Sequence, residues 1–254
     1  MSRTPNPRPV YWLAGLAIAL VALSLVAGGL LAVRIDRVGE LALVFLRWNL
    51  FLAWIPFLLS VCLAAVHGRG GPRPLLWVLG AGWLLFLPNA PYILTDFIHL
   101  GRVGGAPLWF DAALIGTFAT AGLALWLGSL LLVHHVVEAR AGRVVGWAVA
   151  VSSLVLSAIG IYLGRFPRFN SWDVVTDPHG LVPVVLQRLA DPLGNTFLLR
   201  FGVVMSTLLL ASYLVVWVLE RRLLGPVFGR GRVARRRDPL SVNTRRRWCL
   251  PSSR

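Results

Sequence analysis

The chain has 254 residues, of which 57% are hydrophobic and 14% charged, and a formal net charge of +15; its mean hydropathy is +0.74. That balance excludes a water-soluble globular domain and marks an integral membrane protein. All 25 basic residues are arginine, which excludes a nucleotide loop built on lysine, and Cys62 and Cys249 have no CxxC partner, so neither a disulfide framework nor a zinc ribbon is supported.

Six apolar runs are long enough to cross a hydrocarbon core of roughly 30 Å. They cover residues 10–33, 41–66, 75–92, 107–133, 144–164 and 196–219. The first follows Arg3 and Arg8 as a secretory signal would. It is longer than the roughly 7 to 15 residues of a signal core and no A-x-A site follows, so it reads as a retained span. Nothing alternates as a barrel strand does, and a bilayer demands internally satisfied backbone, so the expected fold class is all-α: a polytopic membrane helical bundle of about six transmembrane helices.

Basic residues accumulate in loops that stay cytoplasmic. With the N-terminus inside, the inner segments hold Arg3, Arg8, Arg69, Arg73, Arg140, Arg143 and eleven arginines from 221 onward, whereas the outer segments hold Arg34, Arg37, Arg102, Arg165, Arg168 and Arg188. That is seventeen against six, with Arg47 and Arg200 inside spans, and the expected orientation is N-in, C-in. Two parts follow: residues 1–220 form the bundle, and residues 221–254 form a basic, disordered cytoplasmic tail whose single acid is Asp238. The tail reads first as an anchor on anionic lipid headgroups, worth about 1 kcal/mol per basic residue near the surface. Nucleic-acid binding is the weaker reading.

The third span is interrupted by Pro88-Asn89-Ala90-Pro91-Tyr92. Each proline lacks an N–H and clashes with the carbonyl four residues back, so Leu84 and Leu87 lose helical partners, and the residues before the prolines are steered from helical angles. The expectation is a helix broken at Pro88 to Pro91, with Asn89 capping a new short helix. On an α-helix Tyr92, Asp96 and His99 would share a polar face bordered by Thr95, opposite Ile93, Phe97 and Leu100. A plain membrane-helix end with interfacial polar residues and a belt tyrosine is the competing reading.

The same topology brings Asp111, in Trp109-Phe110-Asp111, and the loop Arg165-Phe-Pro-Arg168-Phe-Asn170-Ser171-Trp172-Asp173 to the outer side. Arg47-Trp48-Asn49 enters the second span from that side too, where Arg47 either finds a partner or snorkels to the headgroups. Arg165 and Arg168 alternate with aromatics, and such guanidinium groups either clamp a carboxylate or phosphate, pair with Asp96, Asp111 or Asp173, or meet lipid.

Three segments together, LPNAPYILTDFIHL, WFDAALIG and RFNSWD, resemble an uncharacterised family of bacterial integral membrane proteins designated only as a domain of unknown function. The resemblance runs from residue 75 to about 200. It implies a multi-pass protein of the bacterial inner (cytoplasmic) membrane and carries over Asn89, Pro91, Tyr92, Thr95, Asp96, His99, Asp111, Asn170, Trp172 and Asp173 as motif positions, without a mechanism.

The function expected first is a small-ligand or metal-binding site, or an enzyme, facing the periplasm. Its candidate residues are Asn89, Tyr92, Thr95, Asp96, His99, Asp111, Arg165, Arg168, Asn170, Trp172 and Asp173, with His179 nearby. No cofactor is expected; a divalent metal would fall to Asp96, His99, Asp111 and Asp173, although no H-E-x-x-H-type signature occurs. One alternative is a structural or accessory subunit whose helices pack through Gly28-Gly29, Gly80-Ala81-Gly82, Gly122 and Gly128. A second is a small-solute transporter, for which a broken helix suits a midplane site, but the ionisable groups crowd one third of the membrane depth. His134-His135, Glu138 and Arg140 read as the headgroup end of the fourth span.

Overall fold

A computed structural model describes residues 8–190 and 194–224. Its elements are α1 (Arg8–Val38), α2 (Phe45–Gly68), α3 (Arg73–Phe86), α4 (Asn89–Tyr92), a 3₁₀ segment (Ile93–His99), α5 (Leu108–Ala141), α6 (Arg143–Arg165), α7 (Asp173–Thr176), α8 (Pro178–Ala190), α9 (Thr196–Leu219) and a π turn (Glu220–Leu224). No strand occurs among the described residues. Among the described residues six segments are long and apolar enough to cross a membrane: Leu13–Val38, Phe45–Gly68, Arg73–His99, Leu108–Ala141, Arg143–Arg165 and Thr196–Arg222. The chain is a multi-pass helical membrane protein. Of the basic tail, residues 225–254 lie outside the described residues, and the first four positions of the expected tail belong to the π turn.

The bundle is built around α5. In that helix 72% of the membrane-crossing window is buried, against at most 39% in the others. A helix surrounded on all sides needs no polar face, and α5 is accordingly apolar around most of its circumference. Its partners are α1, α2, α6, α9 and the α4 to 3₁₀ region. Outward faces carry bare apolar side chains such as Leu25, Trp77 and Val144, the surface a lipid solvent calls for. Since apolar burial contributes little between helices in lipid, close packing and buried hydrogen bonds matter more. Trp83 and Trp126 donate their indole N–H groups to Ser129 and Ser157 at 3.4 Å in each case.

At the prolines α3 stops at Phe86 and α4 begins at Asn89, yet the chain does not unwind between them. Leu87 and Pro88 keep right-handed helical angles, at φ −54°, ψ −41° and φ −62°, ψ −25°. What changes is the pitch. With no Pro91 N–H to serve it, the Leu87 carbonyl accepts from Ala90 N–H at 3.3 Å, a three-residue bond, and a full 3₁₀ segment follows. Asn89 is not a cap. Its amide donates back to the Phe86 carbonyl at 3.1 Å, satisfying the group left over when the Ala90 N–H turns to Leu87.

Glycine allows this tightened stretch to nest between its neighbours. A Cβ on Gly122 of α5 would meet the Ala90 carbonyl oxygen at 2.4 Å, and one on Gly160 of α6 would meet the Pro88 ring at 2.5 Å. Of the other glycines expected to serve packing, Gly128 is close to Phe57, Gly80 and Gly82 reach ordinary contact, and Gly28 and Gly29 face open space.

The connectivity sorts the helix ends into two sets. One holds the α1 C-terminus, the α2 N-terminus, the 3₁₀ segment, the α5 N-terminus and the α6 C-terminus; the other holds the α2, α5 and α9 C-termini.

Candidate functional site

Asp96 is the centre of the first set. Its spacing was expected to place it with Tyr92 and His99 on an α-helical face. At three residues per turn it keeps a row with His99 but stacks beneath Ile93 rather than Tyr92, and Ile93 and Asp96 are both fully buried. Tyr92 and Thr95 share the adjacent row, and Thr95 Oγ1 donates to the Tyr92 carbonyl at 2.7 Å. Phe97, expected in an apolar packing stripe, is 41% exposed.

Arg165, at the last position of α6, binds this row. Its Nη2 donates to Asp96 Oδ1 at 2.5 Å, its Nε to Thr95 Oγ1 at 2.9 Å, and its guanidinium lies 4.7 Å from the Tyr92 ring centroid. The second Asp96 oxygen accepts from Asn49 Nδ2 of α2 at 2.9 Å. Three elements thereby converge on one carboxylate, and both of its oxygens have partners, as burial requires.

Past Arg165 the chain turns on Arg168, whose φ of 65° is a left-handed angle that residues other than glycine rarely adopt. Phe169 N–H then reaches back to the Leu163 carbonyl at 3.1 Å, a helix-ending bond that directs Phe169, Asn170 and Ser171 toward α4. Ser171 Oγ accepts from Asn89 Nδ2 at 2.8 Å. Asp173 closes the loop locally, accepting from the Asn170 backbone N–H at 2.6 Å and from Thr176 at 3.2 Å. Trp172 meets Trp48 edge-on at 6.5 Å.

Between α2, α3, α4, α6, this loop and α8 lies a cavity of about 550 Å³. Asn49, Asn89, Tyr92, Asn170 and Ser171 line it together with aliphatic side chains including Leu52, Leu84 and Leu163. Of the expected site residues, Asn89, Tyr92 and Asn170 border the cavity directly, while Thr95, Asp96 and Arg165 stand behind them in the network.

A protein family described as a protein of unknown function, DUF1361, matches residues 48–211, well over half the chain. The chain belongs to the DUF1361 family. No curated protein and no solved structure matches it. The DUF1361 region contains Asn49, the whole Asp96 network and every residue that lines the cavity.

Other expected members of the site lie elsewhere. Asp111 belongs to a separate pair: Arg34 of α1 donates to it through Nε at 2.7 Å and Nη2 at 3.3 Å, with Nη2 also on the Gly104 carbonyl at 3.2 Å. Arg34 was expected in an outer loop, yet α1 continues through it, and it precedes the DUF1361 region. His99 packs its ring on Phe45 at 4.9 Å, away from hydrogen bonding with Asp96. His179, on α8, and Arg47, at the start of α2, are exposed. Asp111 and Asp173 thus stand apart from Asp96 and His99, which share the 3₁₀ segment without a hydrogen bond between them. Among the described residues no group of three or more His, Cys, Asp or Glu side chains is arranged to hold a metal ion.

The opposite end of the bundle carries a second polar set, part of it beyond the DUF1361 match. His134 Nδ1 is hydrogen-bonded to the Tyr213 hydroxyl, His135 Nε2 meets Glu220 Oε1 at 3.0 Å, Arg221 reaches Glu138 at 3.4 Å and Arg140 Nε donates to His67 Nδ1 at 2.9 Å. These contacts lock α5 to α9 and to α2. Tyr213 and Glu220 gave no motif to notice in the sequence. Asn49 did offer a signal, an uncharged amide in an apolar run, and Ser171 sat inside the quoted RFNSWD segment.

Proposed function

We propose that this chain is a protein of the bacterial inner membrane, N-in and C-in, that binds a small ligand in the cavity beside Asp96, on the periplasmic side. The cavity carries the reading: about 550 Å³, mostly apolar, with several amides at one end, on a wall stiffened by the Arg165–Asp96 pair. That volume and lining fall within the usual range of ligand pockets, roughly 300 to 1,000 Å³ with a few convergent polar groups. The arginine distribution supports the side assigned to it. For Asp111 the structural alternative is favoured, because both its oxygens are taken by Arg34.

Two experiments test this. In a background lacking Cys62 and Cys249, His99→Cys and Asp173→Cys should react with an impermeant thiol reagent added outside, and Leu240→Cys only after the membrane is opened. Labelling of positions 99 and 173 from opposite sides would sink the assignment. For binding, native mass spectrometry of the protein released from nanodiscs should show a bound mass that Ala81→Trp removes. Ala81 borders the cavity and is exposed, so the indole fills space without displacing a hydrogen bond. Identical spectra from both proteins would reject the site.

A further inference from the structure

The chemistry of the occupant can be narrowed. Not one of the twenty lining residues carries a formal charge at neutral pH. The arginine nearest the polar end, Arg165, is committed through Nη2 and Nε to Asp96 and Thr95 and through its face to Tyr92. Arg168 is exposed outside the lining. An anionic or cationic head placed here would be desolvated without a counter-charge, which proteins avoid.

The hydrogen-bonding valences point the same way. Asn49 and Asn89 use their amide N–H groups on Asp96, the Phe86 carbonyl and Ser171. Those acceptors fix the amide orientation, so each residue has its carbonyl oxygen left over, with no hydrogen bond from any described residue. Ser171 accepts from Asn89 and keeps its own O–H to donate. The polar end therefore presents two asparagine carbonyls as acceptors and, as donors, the Ser171 O–H and the second Asn49 N–H, with the Tyr92 hydroxyl and the Asn170 amide also on the lining and able to do either. A hydroxyl, which both donates and accepts, satisfies that set, whereas a ketone or ester supplies no donor for the asparagine carbonyls. The remainder is aliphatic, from Leu84 and Leu85 of α3, Leu156 and Ile159 of α6, and Leu181 and Val185 of α8. These surfaces accept a hydrocarbon tail.

We propose that the cavity takes an uncharged, hydroxyl-headed amphiphile, a lipid alcohol or a glycolipid, with its hydroxyl among Asn49, Asn89 and Ser171 and its tail between α3, α6 and α8. This rests on the cavity being a ligand site at all, and the test separates the two.

The full-length protein in phosphatidylcholine nanodiscs would be photolabelled with diazirine-bearing hexadecanol, hexadecanoic acid and hexadecylamine, and the adducts mapped by peptide mass spectrometry. An alkyl glucoside with the same tail distinguishes a sugar head from a simple alcohol. The expected result is labelling of cavity residues by the alcohol or the glucoside at least about fivefold above the acid and the amine, the factor a single hydrogen bond commands. Ala81→Trp should abolish it. Ser171→Ala, which leaves the Asp96 network untouched, should cut it about fivefold, and Asn89→Leu should do the same where that variant accumulates. Equal or stronger labelling by the acid or the amine, still blocked by Ala81→Trp, overturns the hydroxyl assignment and leaves the site standing. Labelling of the cavity by no probe, or labelling indifferent to Ala81→Trp, overturns both.

Discussion

Two buried arginine–aspartate pairs lie at the same end of this bundle, and their chemistry is nearly identical. Arg34–Asp111 joins α1 to α5 at 2.7 Å with side chains 0% and 5% exposed. Arg165–Asp96 joins α6 to the 3₁₀ segment at 2.5 Å with side chains 14% and 1% exposed. In the first, one guanidinium serves both Asp111 oxygens and its Nη2 also reaches the Gly104 carbonyl, while Nη1 is buried with no hydrogen bond to any described residue. In the second the Asp96 oxygens are divided between Arg165 and Asn49, and both Asn49 and the Tyr92 ring under Arg165 are also cavity wall. A buried ion pair alone does not distinguish a brace from a site; what its partners border does.

If that distinction is right, the largest effect comes from Arg34. Arg34→Met leaves the Asp111 carboxyl buried with no counter-charge, which costs about 3–5 kcal/mol. Arg34→Met combined with Asp111→Leu should recover to within about 1 kcal/mol of the parent, because an apolar pair of similar volume replaces both charges. Unfolding of the purified protein in mixed micelles titrated with SDS gives both values. Failure of the double substitution to recover would mean that this pair does more than brace. Next comes Asp96→Asn, which keeps the shape and the Asn49 contact but strips the charge from beneath Arg165. A charge-assisted hydrogen bond is worth about 1.5–3 kcal/mol, and the partial exposure of Arg165 lets water take over part of it, so the loss falls near the bottom of that range. The same titration checks it, and a loss as large as that of Arg34→Met would erase the contrast.

The helices were legible because span length and hydropathy are local properties. Residues 144–164 and 196–219 were expected as spans and appear as Arg143–Arg165 and Thr196–Leu219. Where an end moved, a distant partner moved it. The expected span 10–33 stops before Arg34, but α1 runs to Val38 because Asp111, 77 residues away, takes that arginine into the bundle. Likewise the expected span 107–133 ends at the first histidine, whereas α5 continues to Ala141 with His134 and His135 engaged by Tyr213 and Glu220. Helix α8 had a local signal that passed unread: Asp177 caps it by accepting the Gly180 N–H at 3.0 Å, and Pro178 opens its first turn. For the site, the sequence put Asn89, Tyr92, Thr95, Asp96, Arg165 and Asn170 at one end, and they do converge there. It also grouped Asp111 with them, since topology sorts residues by membrane side and cannot tell which of two carboxylates an arginine will choose.

The subtlest contrast uses the one substitution that keeps the charge at the second pair. Arg165→Lys retains a cation for Asp96 but loses the planar fork, and with it the Thr95 bond and most of the stacking on Tyr92. The charge-assisted hydrogen bond, discounted for the partial exposure of Arg165, and the partly exposed cation–π contact are each worth about 0.5–1 kcal/mol, so stability should fall by about 1–2 kcal/mol, comparable with Asp96→Asn. Its effect on the cavity should exceed its effect on stability. Tyr92 is held against the wall by the guanidinium on one side and the Thr95 hydroxyl on its own carbonyl, and a lysine releases the ring from the first of these. Alcohol photolabelling should therefore drop by more than the stability change explains, whereas the same exchange at Arg34, which borders no part of the cavity, should lower stability and leave labelling of the folded fraction unchanged. Equal labelling of the two lysine variants would show that the Arg165 pair, like the Arg34 pair, is only a brace.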